Sequence, residues 1–326
     1  MSRLFVSLLG IITTSLIIIG LAGAQDYPSR PITVIVPMPP GGGLDVIARI
    51  VAENLPRALN QAVVVENRGG GNGNIGTRDA ARAAPDGYKL LLGQTGSMSI
   101  NPSLYGTGAG YDPRKDFAPI GLIAAMPTVL MVHPSLPAKS VGELISIAKR
   151  EPGKLNAGVP TVGSIAYMAA EMFKMMAGVD MAIIPYMGTS PLTNDLLGGH
   201  VPIGFNNIAA SLSNIQAGNL RALGVASLKR SALLPDVPTV AEAGLPGFEA
   251  VVSYGLLAPA GTPRAIIERL NRELNTFLGL PDVRARISDI GGEPLTSTPE
   301  EYAADIDREE TKWSALVREL SLDSSR

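Results

Sequence analysis

The chain has 326 residues, of which 46% are hydrophobic and 17% charged, and its formal net charge is −2. This composition is typical of a globular protein of about two domains and excludes an intrinsically disordered chain. No cluster of lysine and arginine is present, so no nucleic-acid-binding surface is expected. The sequence contains no cysteine and only two, isolated histidines, His133 and His200, so neither a disulfide nor a metal site is predicted.

The first 24 residues differ from the rest of the chain. Arg3 precedes an apolar run from Leu4 to Leu21, and the small residues Ala22-Gly23-Ala24 follow. A basic start, an apolar core and an A-x-A site are typical of a secretory signal peptide that is cleaved after Ala24. Residues 1–24 are therefore predicted to direct export, and a retained membrane anchor is the alternative.

The next segment predicts a strand, a glycine loop and a helix. The apolar, β-branched run Ile32–Val36 predicts a buried strand, which the prolines after it end. The glycines 41–43 follow, and apolar residues at helical spacing predict a helix from Leu44 to Leu55. Open α/β sheets bind ligands at this end of a strand, and free N–H groups with a helix dipole favour an anion. The alternative is an ordinary turn between strand and helix.

A second glycine-rich segment follows a predicted strand at Ala62–Glu66. Gly71–Gly76 matches G-x-G-x-x-G, but no acidic residue follows about 20 positions later at a strand end. We therefore predict a turn into a helix at Thr77–Ala84, and no cofactor. A third strand, Lys89–Gly93, leads into a polar loop formed by Gln94, Thr95, Gly96 and Ser97.

The apolar segment Phe117–Val132 contains two prolines, Pro119 and Pro127. A central strand does not normally tolerate both of them, because proline has no N–H to give to the sheet. The segment therefore predicts two strands with a crossover between them, and a domain boundary near Ala124–Pro127. A helix with a capping box is predicted at Ser140–Arg150.

The second half repeats the strand-and-loop pattern of the first. Strands are predicted at Lys154–Val159, Ala182–Pro185, Val201–Phe205, Arg221–Ala226 and Glu249–Pro259. Helices are predicted after Thr262 and Thr298, each with a proline in its first turn. The chain thus predicts an α/β fold of two lobes. Lobe 1 is residues 25–123 plus 249–326, and lobe 2 is residues 124–248, with the return crossing within 227–250.

No catalytic motif accompanies these elements. Neither a G-x-S-x-G elbow nor a phosphate-binding G-x-x-x-x-G-K-[ST] loop occurs. The polar loops at strand ends converge from two lobes and could hold a small anion without chemistry. The alternative is an exported α/β hydrolase or transferase, which needs a nucleophile–base pair that the sequence does not offer.

Five segments together resemble one known family, the tripartite tricarboxylate transporter substrate-binding proteins, also called Bug or TctC-like proteins. They are YPSRPITVIVPMPPGGGLDVIAR, VVVENRGGGNGNIG, APDGYKLLLG, LPDVPTVAEAG and LLAPAGTP. The resemblance implies a type II periplasmic binding protein fold, with two Rossmann-like lobes joined by crossover strands. It also implies a non-enzymatic, monomeric periplasmic receptor that delivers a small carboxylate to a permease of one large and one small subunit. A ligand sensor for a membrane regulator is the alternative.

The resemblance further implies that backbone amides of the first glycine loop hold the ligand carboxylate, with other contacts from the polar loops. The predicted ligand-binding residues are Pro40, Gly41, Gly42, Gly43, Asp45, Gln94, Thr95, Gly96, Ser97, Thr161, Gly163, Ser164, Tyr186, Gly188 and Asn206. Asn206 stands where the family commonly has Asp, which predicts a carboxylate without an amino group. The alternative is that Asn206 caps the helix after it.

Overall fold

The computed structural model describes residues 27–322. The predicted signal peptide, residues 1–24, lies outside the described residues. The strands are β1 Ile32–Val36, β2 Val63–Asn67, β3 Lys89–Gln94, β4 Phe117–Val132, β5 Asn156–Val159, β6 Ala182–Pro185, β7 Ile203–Asn207, β8 Arg221–Val225, β9 Val251–Pro259 and β10 Glu293–Pro294. The α-helices are α1 Gly43–Leu59, α2 Asn74–Ala81, α3 Asn101–Tyr105, α4 Pro113–Asp116, α5 Val141–Arg150, α6 Ile165–Ala177, α7 Thr189–Leu197, α8 Ile208–Gln216, α9 Arg264–Leu278, α10 Pro281–Asp289 and α11 Pro299–Glu319.

The first part of the sheet is built around β1. This strand pairs in parallel with β2 on one side and with β3 on the other, and β3 then pairs antiparallel with β9. Four of the five residues of β1 are buried, because helices cover both faces of such a sheet. Burying each Val or Ile side chain contributes about 1.5–3 kcal/mol, which makes this strand a strong core element.

The second part repeats this arrangement with β5 at its centre. β5 pairs in parallel with β6 and β7, and β7 pairs antiparallel with β4. β8 also pairs antiparallel with β4. The strands β1, β3 and β5 end in loops that lead into helical turns, as the sequence predicts, and β7 runs directly into α8.

The prediction that Phe117–Val132 forms two strands is wrong, because it is a single 16-residue strand, β4. Its pairing with β9 is irregular between Pro119 and Gly121, and Pro127 is the last residue paired with β9. From Thr128 onward the partners of β4 are β7 and β8. Each proline thus lies at an irregularity or a change of partners, where its missing N–H does not interrupt a regular ladder. The predicted lobe boundaries, close to this change, stay predictions.

Several helix ends differ slightly from the predictions. α2 begins at Asn74 instead of Thr77, after a 3₁₀ turn at Gly71–Gly73. Pro263 is the N-cap of α9 and precedes the helix, whereas α11 has the complete capping box predicted at Thr298. The Glu143 carboxylate accepts a hydrogen bond from the Lys139 N–H, so only half of the predicted capping box of α5 forms.

Between residues 27 and 322, no helix combines the length and apolar composition needed to cross a membrane.

Candidate functional site

A cavity of about 150 Å³ opens at the carboxyl ends of β1, β3, β5 and β7. This is where open α/β sheets bind ligands. It is lined by Met38, Asn72, Gln94, Gly96, Pro160, Thr161, Gly163, Ser164, Ile165, Ala166, Thr189, Asn206, Asn207, Val252 and Tyr254. A closed apolar cavity of about this volume accepts benzene in another protein, so this one suits a small ligand.

Six of the predicted binding residues line this cavity. They are Gln94, Gly96, Thr161, Gly163, Ser164 and Asn206. The other nine do not line it; they are Pro40, Gly41, Gly42, Gly43, Asp45, Thr95, Ser97, Tyr186 and Gly188. The lining residues that the sequence did not suggest include Asn72, Val252 and Tyr254, which reach the cavity from other segments.

The Asp45 side chain stabilises the conformation of the first glycine loop through hydrogen bonds. Its buried carboxylate accepts hydrogen bonds from the Gly41 N–H at 2.9 Å, Arg49 Nε at 3.0 Å and Asn67 Nδ2 at 3.0 Å. Burial alone raises the pKa of this carboxyl, but the hydrogen bonds outweigh burial and hold the pKa below its usual value of 3.8. Gly41 has φ +90°, a conformation that glycine adopts easily. Asp45 therefore positions the loop through the Gly41 N–H. Other N–H groups of this segment remain without an acceptor in the described residues.

The start of α1 supplies those N–H groups. In the described part of the chain, no hydrogen-bond acceptor pairs with the N–H of Gly42, Gly43 or Leu44. A Cβ added at Gly43 would lie 3.2 Å from the Tyr254 hydroxyl, so this helix end adjoins a lining residue of the cavity. Burial raises the pKa of Tyr254, which keeps its hydroxyl a hydrogen-bond donor.

Three further helices begin at the cavity from the other side. Ser164 caps α6 by accepting a hydrogen bond from the Tyr167 N–H, Thr189 is the first residue of α7, and Asn207 is the N-cap of α8. The N-terminus of a helix carries about half a positive charge and favours an anion. The helix ends thus contribute positive potential at the cavity.

Two predicted residues from the loop after β6 make hydrogen bonds within the protein. The Tyr186 hydroxyl donates to Asp195 Oδ2 at 2.7 Å, and burial together with this carboxylate raises its pKa to about 12. Gly188, with φ +118°, donates its N–H to the Pro160 carbonyl at 2.8 Å and so ties the β6 loop to a lining residue.

Thr95 and Ser97 are also buried in the interior of the protein. Thr95 Oγ1 accepts the Ser253 N–H at 2.8 Å, which fixes β9 beside the end of β3. Ser97 is buried in the π-helical turn Gly96–Ile100, and its carbonyl accepts a hydrogen bond from the Tyr111 hydroxyl. These contacts hold the loop that presents Gln94 and Gly96 to the cavity.

Asn72 forms a bridge across the cavity. Its Nδ2 donates to the Val162 carbonyl at 2.9 Å and to Asn101 Oδ1 at 3.2 Å. Asn101 is fully buried and donates back to the Asn72 carbonyl at 2.9 Å and to Asn74 Oδ1 at 2.7 Å. The G-x-G-x-x-G segment, which was not expected to hold a cofactor, thus links the first part of the chain to the loop after β5.

The lining carries no charge. Within residues 27–322, no Asp, Glu, Lys, Arg or His side chain lines the cavity. In the same range, no three His, Asp or Glu side chains are grouped so that they could hold a metal ion. The arrangement offers neutral hydrogen-bond donors and helix N-termini to a ligand.

Comparison with known proteins identifies relatives over nearly the whole length. Residues 47–322 match the family described as the tripartite tricarboxylate transporter family receptor. Protein BugT of Bordetella pertussis is 38% identical over 324 residues, which cover 98% of each chain. Rpa4515 of R. palustris with adipate has a TM-score of 0.83 at 37% identity, covering 90% of this chain and 98% of that one. MatC of Rhodopseudomonas palustris with bound malate has a TM-score of 0.80 at 32% identity, covering 89% and 100%. These matches confirm the predicted family and the periplasmic binding protein fold.

Proposed function

Because the chain belongs to the tripartite tricarboxylate transporter receptor family, we propose that it captures a small carboxylate in the cavity and passes it to a membrane permease. The family consists of substrate-binding receptors, and its members are periplasmic binding proteins. For this chain the proposal includes export through residues 1–24 and action as a monomer. Its partner would be a permease of one large and one small subunit.

The observation that carries the proposal is an uncharged cavity at which helices begin. Ser164, Thr189 and Asn207 mark the starts of three helices, and Tyr254 adjoins the start of a fourth. Helix N-termini and unpaired N–H groups bind carboxylates well. The similar proteins Rpa4515 and MatC were solved with adipate and malate, both small carboxylates, which supports the same ligand class here.

The same cavity supports binding without catalysis. Ser164 is the candidate nucleophile among the lining hydroxyls, but its Oγ donates to the Thr161 carbonyl at 2.7 Å and accepts the Tyr167 N–H. No histidine, carboxylate or lysine lines the cavity in the described residues, so Ser164 has no base to activate it. We therefore propose a receptor and not a hydrolase.

The test is a thermal-shift and calorimetry screen of the protein from Gln25 onward, purified under denaturing conditions and refolded to remove bound ligand. The panel contains the α,ω-dicarboxylates with four, five and six carbons, and the diamine 1,6-diaminohexane is the matched control of opposite charge. A ligand at 100 times its Kd stabilises the protein by about 2.7 kcal/mol. We expect a Tm rise of roughly 5 °C for at least one dicarboxylate and none for the diamine. A panel without any anion-specific shift contradicts the proposed function.

Export is tested by the intact mass of the protein in the periplasmic fraction. We expect an N-terminus at Gln25, because the small residues before it fit a signal-peptidase site. The Ala24→Leu variant should remain uncleaved. A wild-type protein that stays full-length in the inner membrane contradicts cleavage and supports a retained anchor.

A further inference from the structure

The starting observation is a buried donor without a partner. Five buried side-chain polar atoms in the described residues make no hydrogen bond: Thr77 Oγ1, Arg78 Nε, Asn206 Nδ2, Ser211 Oγ and Glu310 Oε2. Asn206 is the one residue of this group that lines the cavity. Buried donors are nearly always paired in folded proteins, so an unpaired one beside a cavity is a candidate contact for a ligand oxygen.

The orientation of the Asn206 amide is fixed by the chain itself. Its Oδ1 accepts the Asn207 N–H at 2.9 Å, and the residue is fully buried at the end of β7. With the oxygen side occupied, the nitrogen side keeps two N–H donors. Asn206 therefore does not cap α8 through its side chain, since no side-chain cap bond forms at the start of that helix.

Asn206 and Tyr254 reach the cavity from different strands. Tyr254, which adjoins the start of α1, lies on β9 opposite Ala124 of β4, and Asn206 lies on β7 opposite Val129. A ligand held near α1 at one end, and long enough to cross the cavity, would present its other end to Asn206.

The absence of charge in the lining decides what that other end can be. An ammonium group needs a carboxylate or several acceptors when it leaves water, and no acidic side chain lines the cavity within residues 27–322. A carboxylate oxygen needs donors, which Asn206 Nδ2 supplies. The lining thus offers a donor to a ligand oxygen at this end and no counter-charge to an ammonium group.

We propose that Asn206 determines specificity: its Nδ2 donates to an oxygen at the far end of an extended dicarboxylate, and the site rejects analogues that carry an amino group. The proposal rests on the proposed function and names the ligand class within it.

The test compares each dicarboxylate of four, five and six carbons with its 2-amino analogue: aspartate, glutamate and 2-aminoadipate. Wild type should bind the best dicarboxylate at least about 10-fold more tightly than its amino analogue, because the ammonium finds no counter-charge. Asn206→Asp keeps the acceptor for the Asn207 N–H but places a negative charge beside the ligand. It should weaken dicarboxylate binding by roughly 10- to 100-fold and affect the amino analogue less.

Two further variants complete the experiment. Asn219→Asp makes the same change of charge at an exposed position outside the cavity, and both affinities should stay as in wild type. Asn206→Ala removes the donor without adding charge and should weaken dicarboxylate binding by roughly 10-fold. The folding of Asn206→Asp is checked by circular dichroism.

The outcomes separate the two proposals. If wild type binds dicarboxylates, but prefers an amino analogue or binds as well after both Asn206 substitutions, the role of Asn206 is overturned and the receptor function stands. If wild type binds no carboxylate, both are overturned. Loss of dicarboxylate affinity in the Asn206 variants alone, with Asn219→Asp unchanged, supports the specificity role.

Discussion

Gly163 is the residue at which closure of the cavity can be tested most directly. It has φ +74°, and a Cβ placed there would lie 2.6 Å from Asn72 Nδ2 and 3.0 Å from Leu104 Cδ2. Asn72 is the residue that bridges the cavity to the Val162 carbonyl. We predict that Gly163→Ala weakens ligand binding because the new methyl group displaces this bridge.

The magnitude follows from two separate effects. The left-handed conformation costs a non-glycine residue about 1–2 kcal/mol, whether the cavity is open or closed. We predict that ligand binding brings the two sides of the cavity together into a closed state, which the contact with Asn72 stabilises. Losing this bridge should cost the closed state about 1 kcal/mol. Because only the second effect differs between the open and closed states, and the closed state contacts ligand from both sides, apparent affinity should fall by a factor of about 5.

The assay is calorimetry with the tightest ligand, together with small-angle scattering and Tm. The matched control is Gly178→Ala, at φ +61° with no atom within 4 Å of the added Cβ, at the end of α6. It should lower Tm as much as Gly163→Ala and leave affinity unchanged. Asn72→Gly tests the bridge from the other side, since glycine keeps the φ of +54° without strain.

Wild type should show a smaller radius of gyration with ligand bound than without it. Gly163→Ala should need more ligand to reach that radius. If Gly163→Ala and Asn72→Gly both bind as wild type does, and saturating ligand leaves the radius unchanged, the bridge does not stabilise a closed state.

Three other substitutions test the first glycine loop and its neighbours. Gly42→Val should abolish measurable binding by calorimetry and keep a wild-type circular dichroism spectrum, because Gly42 has φ −86° with open space around it and its side chain would cover the N–H groups of α1; retained affinity would place the carboxylate elsewhere. Asp45→Asn should lower stability by about 1–3 kcal/mol at pH 7. Since the folded-state pKa of Asp45 lies below 3.8, its contribution is complete above that pH and lost as the pH falls through the folded pKa, so the two Tm values should converge in acid; a constant difference would contradict this role. Tyr254→Phe should weaken binding by roughly 10-fold at every pH from 6 to 9, because the buried hydroxyl stays protonated throughout; unchanged affinity would exclude the hydroxyl as a ligand contact.

Periodicity and turn chemistry were sufficient to predict most of the fold. The β-branched run of β1, the glycine loop after it and the helical spacing in α1 all have strong local signals, and each element forms where predicted. The exception is β4, whose continuity is explained by tertiary structure. Its prolines are tolerated because the partners of the strand change beside Pro127. No local pattern reports such a change.

The lining of the cavity was predicted where strand ends carry polar residues, and was not predicted where the chain folds back. Ser164 lies in the loop after β5 and Asn206 lies near the end of β7, and both line the cavity. Val252 and Tyr254 lie within β9, an apolar strand whose sequence gives no sign that it borders a cavity. Tyr186 follows a strand, as Ser164 does, but its hydroxyl donates a hydrogen bond to Asp195. This contact depends on how α7 packs, which the sequence does not show.

The place of β9 in the sheet has a consequence for how the chain acquires its structure during synthesis. β3 pairs with β9, and the hydrogen bond between Ser253 and Thr95 joins residues 158 positions apart. Until β9 is made, the apolar residues Leu90, Leu91 and Leu92 belong to a strand whose outer edge is open, and such edges promote aggregation. Contacts this distant in sequence also slow folding. We therefore expect the emerging chain to be prone to aggregation until the ribosome has reached β9.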